Sequence, residues 1–315
     1  MAKGLAITFT KFHGLGNDFI VVSASGLPAI RRRSPHTPIL ASLARSICRR
    51  QTGVGADGLL VMLPPAENKN HARMRVFNAD GSEAEMSGNG IRCAAAYLLG
   101  TIRSGRELRI ETAAGTRQLE TVKSEAGTWT FRVALGAPVL EPALIPFRAA
   151  DVSSPVVGFP LPTSRGALRV TVTSMGNPHC STFVPDFNNL DCPAVGREVE
   201  NSSLFPNRTN VEFVRVVSRK VIEVRFWERG VGRTESSGTG SCAAVVASIL
   251  NGLTDRRVKV RTLAGSLDVA WPKGGEVMLT GPVQLIARGT YHYSDAVTGR
   301  MKAGLDARRM RPLKR

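Results

Sequence analysis

Apolar and polar residues alternate along several short stretches of the chain. In LAITFTKF, Leu5, Ile7 and Phe9 alternate with Ala6, Thr8 and Thr10; in ALRVTVTS, Leu168, Val170 and Val172 share one face; in KVIEVRFW, Ile222, Val224 and Phe226 alternate with Glu223 and Arg225. A period of two over such lengths predicts half-buried strands. Beyond the first strands the period changes. Pro38 follows Thr37, and Leu40, Leu43, Ala44 and Ile47 fall on one stripe, which predicts a helix with Thr37 as N-cap and Pro38 in its first position. Gly and Pro interrupt the pattern at ALGAPVLEPALIP, after the strand TWTFRVAL, and the closing GEVMLTGPVQLIARGTYHY reads as strand returning to the first half.

One pattern occurs twice. MSGNGIRCAAAYLLG (residues 86–100) and SSGTGSCAAVVASILNG (236–252) both read Ser-Gly-x-Gly and then a Cys-Ala-Ala helix, small on one side and apolar nearly all round. Each follows a strand and a turn, RMRVFNADGSEAE in the first case and VRFWERGVGRTE in the second. Duplication at this spacing predicts an α+β chain of two pseudo-symmetric α/β halves, each with strands wrapped around a central helix. The expected division is an N-terminal half over 1–136, a C-terminal half over 137–281, and a returning strand with a basic tail over 282–315.

The two glycine turns carry the candidate chemistry. A helix N-terminus presents free N–H groups and about half a positive charge, so it binds carboxylates and favours an ionised side chain at its mouth. Glycines 88, 90, 238 and 240 let an anion approach closely. With the halves face to face, Ser87 and Ser237 point into one cleft from opposite sides, an arrangement suited to removing a proton from one face of an α-carbon and returning one to the other. Polar residues beside other glycines fit such a cleft: Asn17, Asn78, Asn177, His179, Asn210, and the pair Glu228 and Arg229.

Composition narrows the class. The 315 residues are 43% hydrophobic and 21% charged, without an apolar run long enough to span a bilayer, so a globular protein with no membrane partner is expected. MAKGLAITFTKFHG lacks the apolar core of a signal peptide, which predicts a cytoplasmic location. Five cysteines without C-x-x-C spacing suggest neither a disulfide framework nor a metal site. The formal charge of +17 is concentrated at Arg31–Arg33, Arg49 and Arg50 and in the tail from Arg308 onward. Aromatic content of 6% and the lack of any finger, homeodomain or RNP-type motif argue against specific nucleic-acid binding despite that charge.

KFHGLGNDFIVV, GVGADG, FNADGSEAEMSGNGIRC, MGNPH, RTNVEFV and WERGVGRTESSGTGSC occur in this order, and together they resemble the motifs of the diaminopimelate epimerase family to about residue 290. The resemblance implies two similar α/β halves with the active site between them, a small amino-acid substrate, no cofactor, and two cysteines as the base and acid pair. It is compatible with a homodimer. Carried over by position, it implies that the amides of Gly88, Asn89, Gly238 and Thr239 bind the reacting carboxylate. Asn17, Asn78, Asn177, His179, Asn210, Glu228 and Arg229 then surround the amino acid, with Arg229 clamping the distal carboxylate.

Three positions depart from the family. Ser87 and Ser237 stand where it has the catalytic cysteines, and Arg233 where an acidic residue is usual. A thiol near 8.5 is brought into the neutral range by a helix N-terminus, whereas a hydroxyl starts several units higher and needs an adjacent base. The sequence shows no such base beside either serine; His13 and His179 are the residues free to approach. Cys93 and Cys242, more than one turn into their helices, read as packed thiols rather than substitutes. Three readings follow: an epimerase interconverting LL- and meso-diaminopimelate for lysine and peptidoglycan synthesis, a related isomerase or dehydratase using one serine on one face, and a silent binder of such an amino acid. Natural replacement and a deliberate Cys→Ser exchange are both origins that suit the serines.

Overall fold

The computed structural model describes residues 5–27, 37–101, 106–150, 152–188 and 190–294. The basic run Arg31–Arg33 and the C-terminal tail lie outside them.

The first half runs β1 (Leu5–Gly14), β2 (Asn17–Ser23), α1 (Thr37–Ile47), β3 (Gly58–Leu63), β4 (Ala72–Asn78), β5 (Glu83–Ala84), α2 (Gly88–Leu99), β6 (Glu107–Thr112), β7 (Gly115–Glu125) and β8 (Thr128–Ala134). After β9 (Phe159–Thr163), the second runs β10 (Gly166–Ser174), β11 (Pro178–Phe183), α3 (Cys192–Glu200), β12 (Asn210–Ser218), β13 (Val221–Glu228), β14 (Gly232–Thr234), α4 (Gly238–Leu250), β15 (Arg257–Thr262), β16 (Gly265–Ala270) and β17 (Met278–Tyr293). The strand pairings repeat as well. In the first half β1–β2 is antiparallel, β2–β3 parallel, β3–β4 and β4–β5 antiparallel, β4–β6 parallel, and β6–β7–β8 antiparallel. Strands β10 to β17 follow the same scheme in the same order. The duplication seen around the two glycine turns therefore extends to the whole topology.

Strand β17 joins the halves. It begins between β16 and β8 and continues along β1, so β1, β2, β3, β4, β6, β7, β8 and β17 close into a ring. Closure removes the free edges that an open sheet would expose. One strand thus runs unbroken across residues 281 and 282.

Both repeated helices lie in the middle of their strands, which explains why their sequences are apolar nearly all round. Ile91, Cys93 to Ala96 and Leu98 of α2 share one continuous core with Cys242 to Val246 of α4. Two outer clusters lie under α1 and α3, one in each half. In α1 the stripe Leu40, Leu43, Ala44 and Ile47 is buried as its period requires. The helix already includes Thr37, so this residue is not its cap; its hydroxyl accepts a hydrogen bond from Arg75 Nη2 at 2.7 Å. Strand β10 also departs from the half-buried expectation. From Val170 to Ser174 both faces are buried, because α4 packs on one side and the cluster containing α3 on the other. Thr171 and Thr182 meet this enclosure with hydrogen bonds to Asn251 and to the Arg169 carbonyl. Among the described residues no helix is long and apolar enough to cross a membrane.

Candidate active site

Ser-Gly-x-Gly folds identically in both copies. Ser87 caps α2 with φ −133° and ψ 125°, and its Oγ accepts from Gly90 N at 3.0 Å. Ser237 caps α4 with φ −135° and ψ 128°, its Oγ accepting from Gly240 N at 3.2 Å. The motif spacing places the hydroxyl at the N-cap and the second glycine at the third helical position, where the free N–H points back. The two helix ends then meet. A Cβ at Gly88 would stand 3.4 Å from Gly238 Cα, and one at Gly238 would stand 3.3 Å from Gly88 Cα. Glycine at both positions lets two positive helix termini share one spot, with Ser87 and Ser237 flanking it.

Most of the polar residues singled out in the sequence form two networks around this spot. In the first half Asn89 Nδ2 donates to Asn17 Oδ1 at 3.2 Å, and Asn17 Nδ2 donates to Asp57 Oδ2 at 2.8 Å. Arg50 bridges Asp57 and Asp18 at 2.7 and 3.0 Å. Burial acts to raise the Asp18 carboxyl, but Arg50, Lys11 and the Asp57 amide together hold it below its usual range. Asn78 stands apart from this network, its side chain donating to Ser82.

The second network lies at the ends of β11, β12 and β13. His179 is buried, with Nδ1 2.6 Å from Glu212 Oε1 and Nε2 2.9 Å from Asn177 Oδ1. Ser181 Oγ donates to the other Glu212 oxygen at 3.0 Å. Parallel pairing of β11 with β12 sets His179 beside Asn210. Asn210 Oδ1 accepts from Arg229 N at 3.0 Å, and Arg229 Nη1 donates to the Asn207 carbonyl at 3.1 Å. The β13–β14 turn brings Glu228 back to the cap of α4: Thr234 Oγ1 donates to Glu228 Oε1 at 2.6 Å, and the Ser237 hydroxyl lies on the side of this carboxylate, favouring its ionised form. Burial pushes the Glu228 carboxyl up, while Thr234, His179 and Ser237 oppose it only in part.

The serines therefore differ in their partners. Ser237 accepts from a backbone amide and has the Glu228 carboxylate on its side, the group that a hydroxyl acting through a base requires. Among the described residues no carboxylate hydrogen-bonds Ser87. His13 does not fill that role; its Nδ1 accepts from Gly16 N and its Nε2 faces Gln284. Arg233 is exposed on β14 opposite Trp227. Asp57, Glu212 and Thr234 were not singled out in the sequence. They lie within the motifs GVGADG, RTNVEFV and WERGVGRTESSGTGSC respectively, and this membership is the available signal.

Cys93 and Cys242 are fully buried, and burial pushes each thiol up to about 12. We expect native protein treated with iodoacetamide at mildly alkaline pH to remain unlabelled at both positions, since only the thiolate reacts. Peptide mass spectrometry showing alkylation at either would contradict this packing. Among the described residues no cluster of His, Cys, Asp and Glu is placed to hold a metal ion.

The chain matches the family described as diaminopimelate epimerase over residues 9–141 and 171–286. A relative named diaminopimelate epimerase from Pelotomaculum thermopropionicum is 44% identical over 288 residues, covering 90% of this chain and 99% of the relative. Another of that name, from Desulforudis audaxviator, is 45% identical over 285 residues, with 90% and 98% covered. Among solved structures, a hydroxyproline epimerase from Agrobacterium vitis with bound trans-4-OH-L-proline superposes with a TM-score of 0.67 at 14% identity, covering 94% of this chain and 95% of that one. A methylitaconate-delta-isomerase gives 0.63 at 15% identity, with 92% and 96% covered. At these identities the structural likeness concerns the fold alone. The sequence matches run through both halves and both serine turns, and by them this chain belongs to the diaminopimelate epimerase family.

Proposed function

We propose that this protein interconverts LL- and meso-2,6-diaminopimelate by moving the α-proton between Ser237 and Ser87, a reaction that serves lysine and peptidoglycan synthesis. The observation that carries the proposal is the meeting of two serine-capped helix N-termini at Gly88 and Gly238. The amides of Gly88, Asn89, Gly238 and Thr239 receive the reacting carboxylate, and Arg229 clamps the distal one. Asn17, Asn78, Asn177 and Asn210 hold the rest of the amino acid, with the buried His179, bonded to Glu212 and Asn177, bracing Asn177 rather than touching the ligand. As the α-carbon–hydrogen bond breaks, its proton passes to Ser237 Oγ and the hydroxyl proton passes to the Glu228 carboxylate. The electron pair spreads into the carboxylate, where the helix termini stabilise it. Delivery of a proton by the Ser87 hydroxyl from the opposite side inverts the centre, after which water returns a proton to Ser87 and takes the one held by Glu228.

A second reading rests on the difference between the serines. With Glu228 turned toward Ser237, proton removal and return from that face is favoured over full inversion.

Calorimetry tests the ligand. Folded protein should bind both isomers, and Arg229→Ala should weaken binding at least about tenfold, since a hydrogen bond to a charged group contributes about 1.5–3 kcal/mol. No heat of binding with either isomer would remove the proposal.

A further inference from the structure

Arg92 lies one turn inside α2, with its side chain wholly buried. Helical side chains lean toward the N-terminus, and this one reaches back to donate from Nη1 to Gly88 O at 3.0 Å and from Nη2 to Asn89 Oδ1 at 2.6 Å. Among the described residues its Nε has no hydrogen-bond partner. Space for the guanidinium comes from two glycines: a Cβ at Gly14 would stand 3.1 Å from Nη2, and one at Gly281 would stand 3.3 Å from Cζ. Among the described residues no carboxylate is ion-paired with it, and burial lowers its pKa to about 10. It therefore remains a cation at neutral pH. An unpaired buried charge is costly, and such departures from a well-satisfied interior are expected where function uses them. The charge sits beside the first turn of α2, where the free amides meet those of α4.

We propose that Arg92 is a positioning residue for the reacting carboxylate: a fixed positive charge behind the two helix termini that holds Asn89 in place and strengthens the hold on an anion lodged there. This rests on the epimerase reading of the site. A purely architectural arginine would matter equally for charged and neutral ligands; one acting through its charge would not.

The experiment titrates unaltered protein, Arg92→Met and Arg92→Lys calorimetrically with LL-diaminopimelate and with its diamide, which has no carboxylate to place at the helix termini in either orientation. The unaltered protein should prefer the diacid. Arg92→Met should weaken diacid binding about tenfold or more and diamide binding less, narrowing the preference, whereas Arg92→Lys should keep the preference within about threefold. Equal losses for both ligands in Arg92→Met, or no loss, would overturn the inference. If Arg92→Met does not fold, Arg92→Lys decides: a retained preference supports the charge, and its disappearance overturns it. Failure of the unaltered protein to bind either ligand would instead defeat the epimerase reading.

Discussion

Ser87→Cys combined with Ser237→Cys should raise epimerisation by about a thousandfold or more, because general acid–base groups of matched pKa contribute 10²–10⁴-fold and a hydroxyl is poorly matched as a base at neutral pH. Both positions are already built to stabilise an anion. Each side chain accepts from a backbone N–H at the third helical position, and each stands at the positive end of a buried helix. A thiol placed there starts near 8.5 and is drawn toward neutrality. The native Cys93 and Cys242, held near 12, cannot supply the same reactivity from their buried sites. Each single exchange should accelerate proton exchange mainly for one stereoisomer. Coupled assays of LL-to-meso conversion measure the gain. A folded double variant without any gain would mean that another departure from the family, with Arg233 first in line, has redirected the site.

Glu228→Gln should slow α-proton exchange at the Ser237 face by about 10²–10³-fold, the usual contribution of a positioned base, while diaminopimelate still binds. The amide keeps the shape of the carboxyl and can accept from Thr234, but it cannot take the serine proton. The pH dependence gives a separate check. Because burial raises the Glu228 pKa, the carboxyl keeps its proton to higher pH than an ordinary glutamate, and the basic form appears only as pH rises through that elevated value. Exchange by the unaltered protein should therefore climb with pH through this range, and the climb should be missing in the variant. Identical pH profiles would show that Glu228 is not the base behind Ser237.

Much of this arrangement is legible in the sequence because it is local. The Ser-Gly-x-Gly spacing fixes the N-cap bond, the alternation in LAITFTKF sets which residues of β1 face inward, and repetition of turn and helix gives the duplication. The remainder depends on chain segments far apart. Val170 to Ser174 alternate like a strand with one wet face, yet helices and strands from distant positions cover both sides. Glu228 approaches Ser237 only because a hairpin doubles the chain back on itself. Glu212 reaches His179 through a parallel pairing with α3 inserted between the strands. Arg92 reads as an ordinary helical arginine until Gly14 and Gly281 are seen to leave room for it in the interior. The contact of Gly88 with Gly238, on which the site depends, is likewise visible only in the fold.

The most direct measurement follows the α-hydrogen itself. Protein is incubated in deuterated water with LL- and, separately, meso-diaminopimelate, and deuterium entry and isomer conversion are followed together by NMR and chiral chromatography. With Glu228 turned toward Ser237 and, among the described residues, no carboxylate hydrogen-bonded to Ser87, one isomer should gain α-deuterium faster than it converts, and the other should gain it only as fast as it converts. Binding of both isomers with no deuterium entering either would contradict proton transfer at this site and leave a protein that holds the amino acid without acting on it.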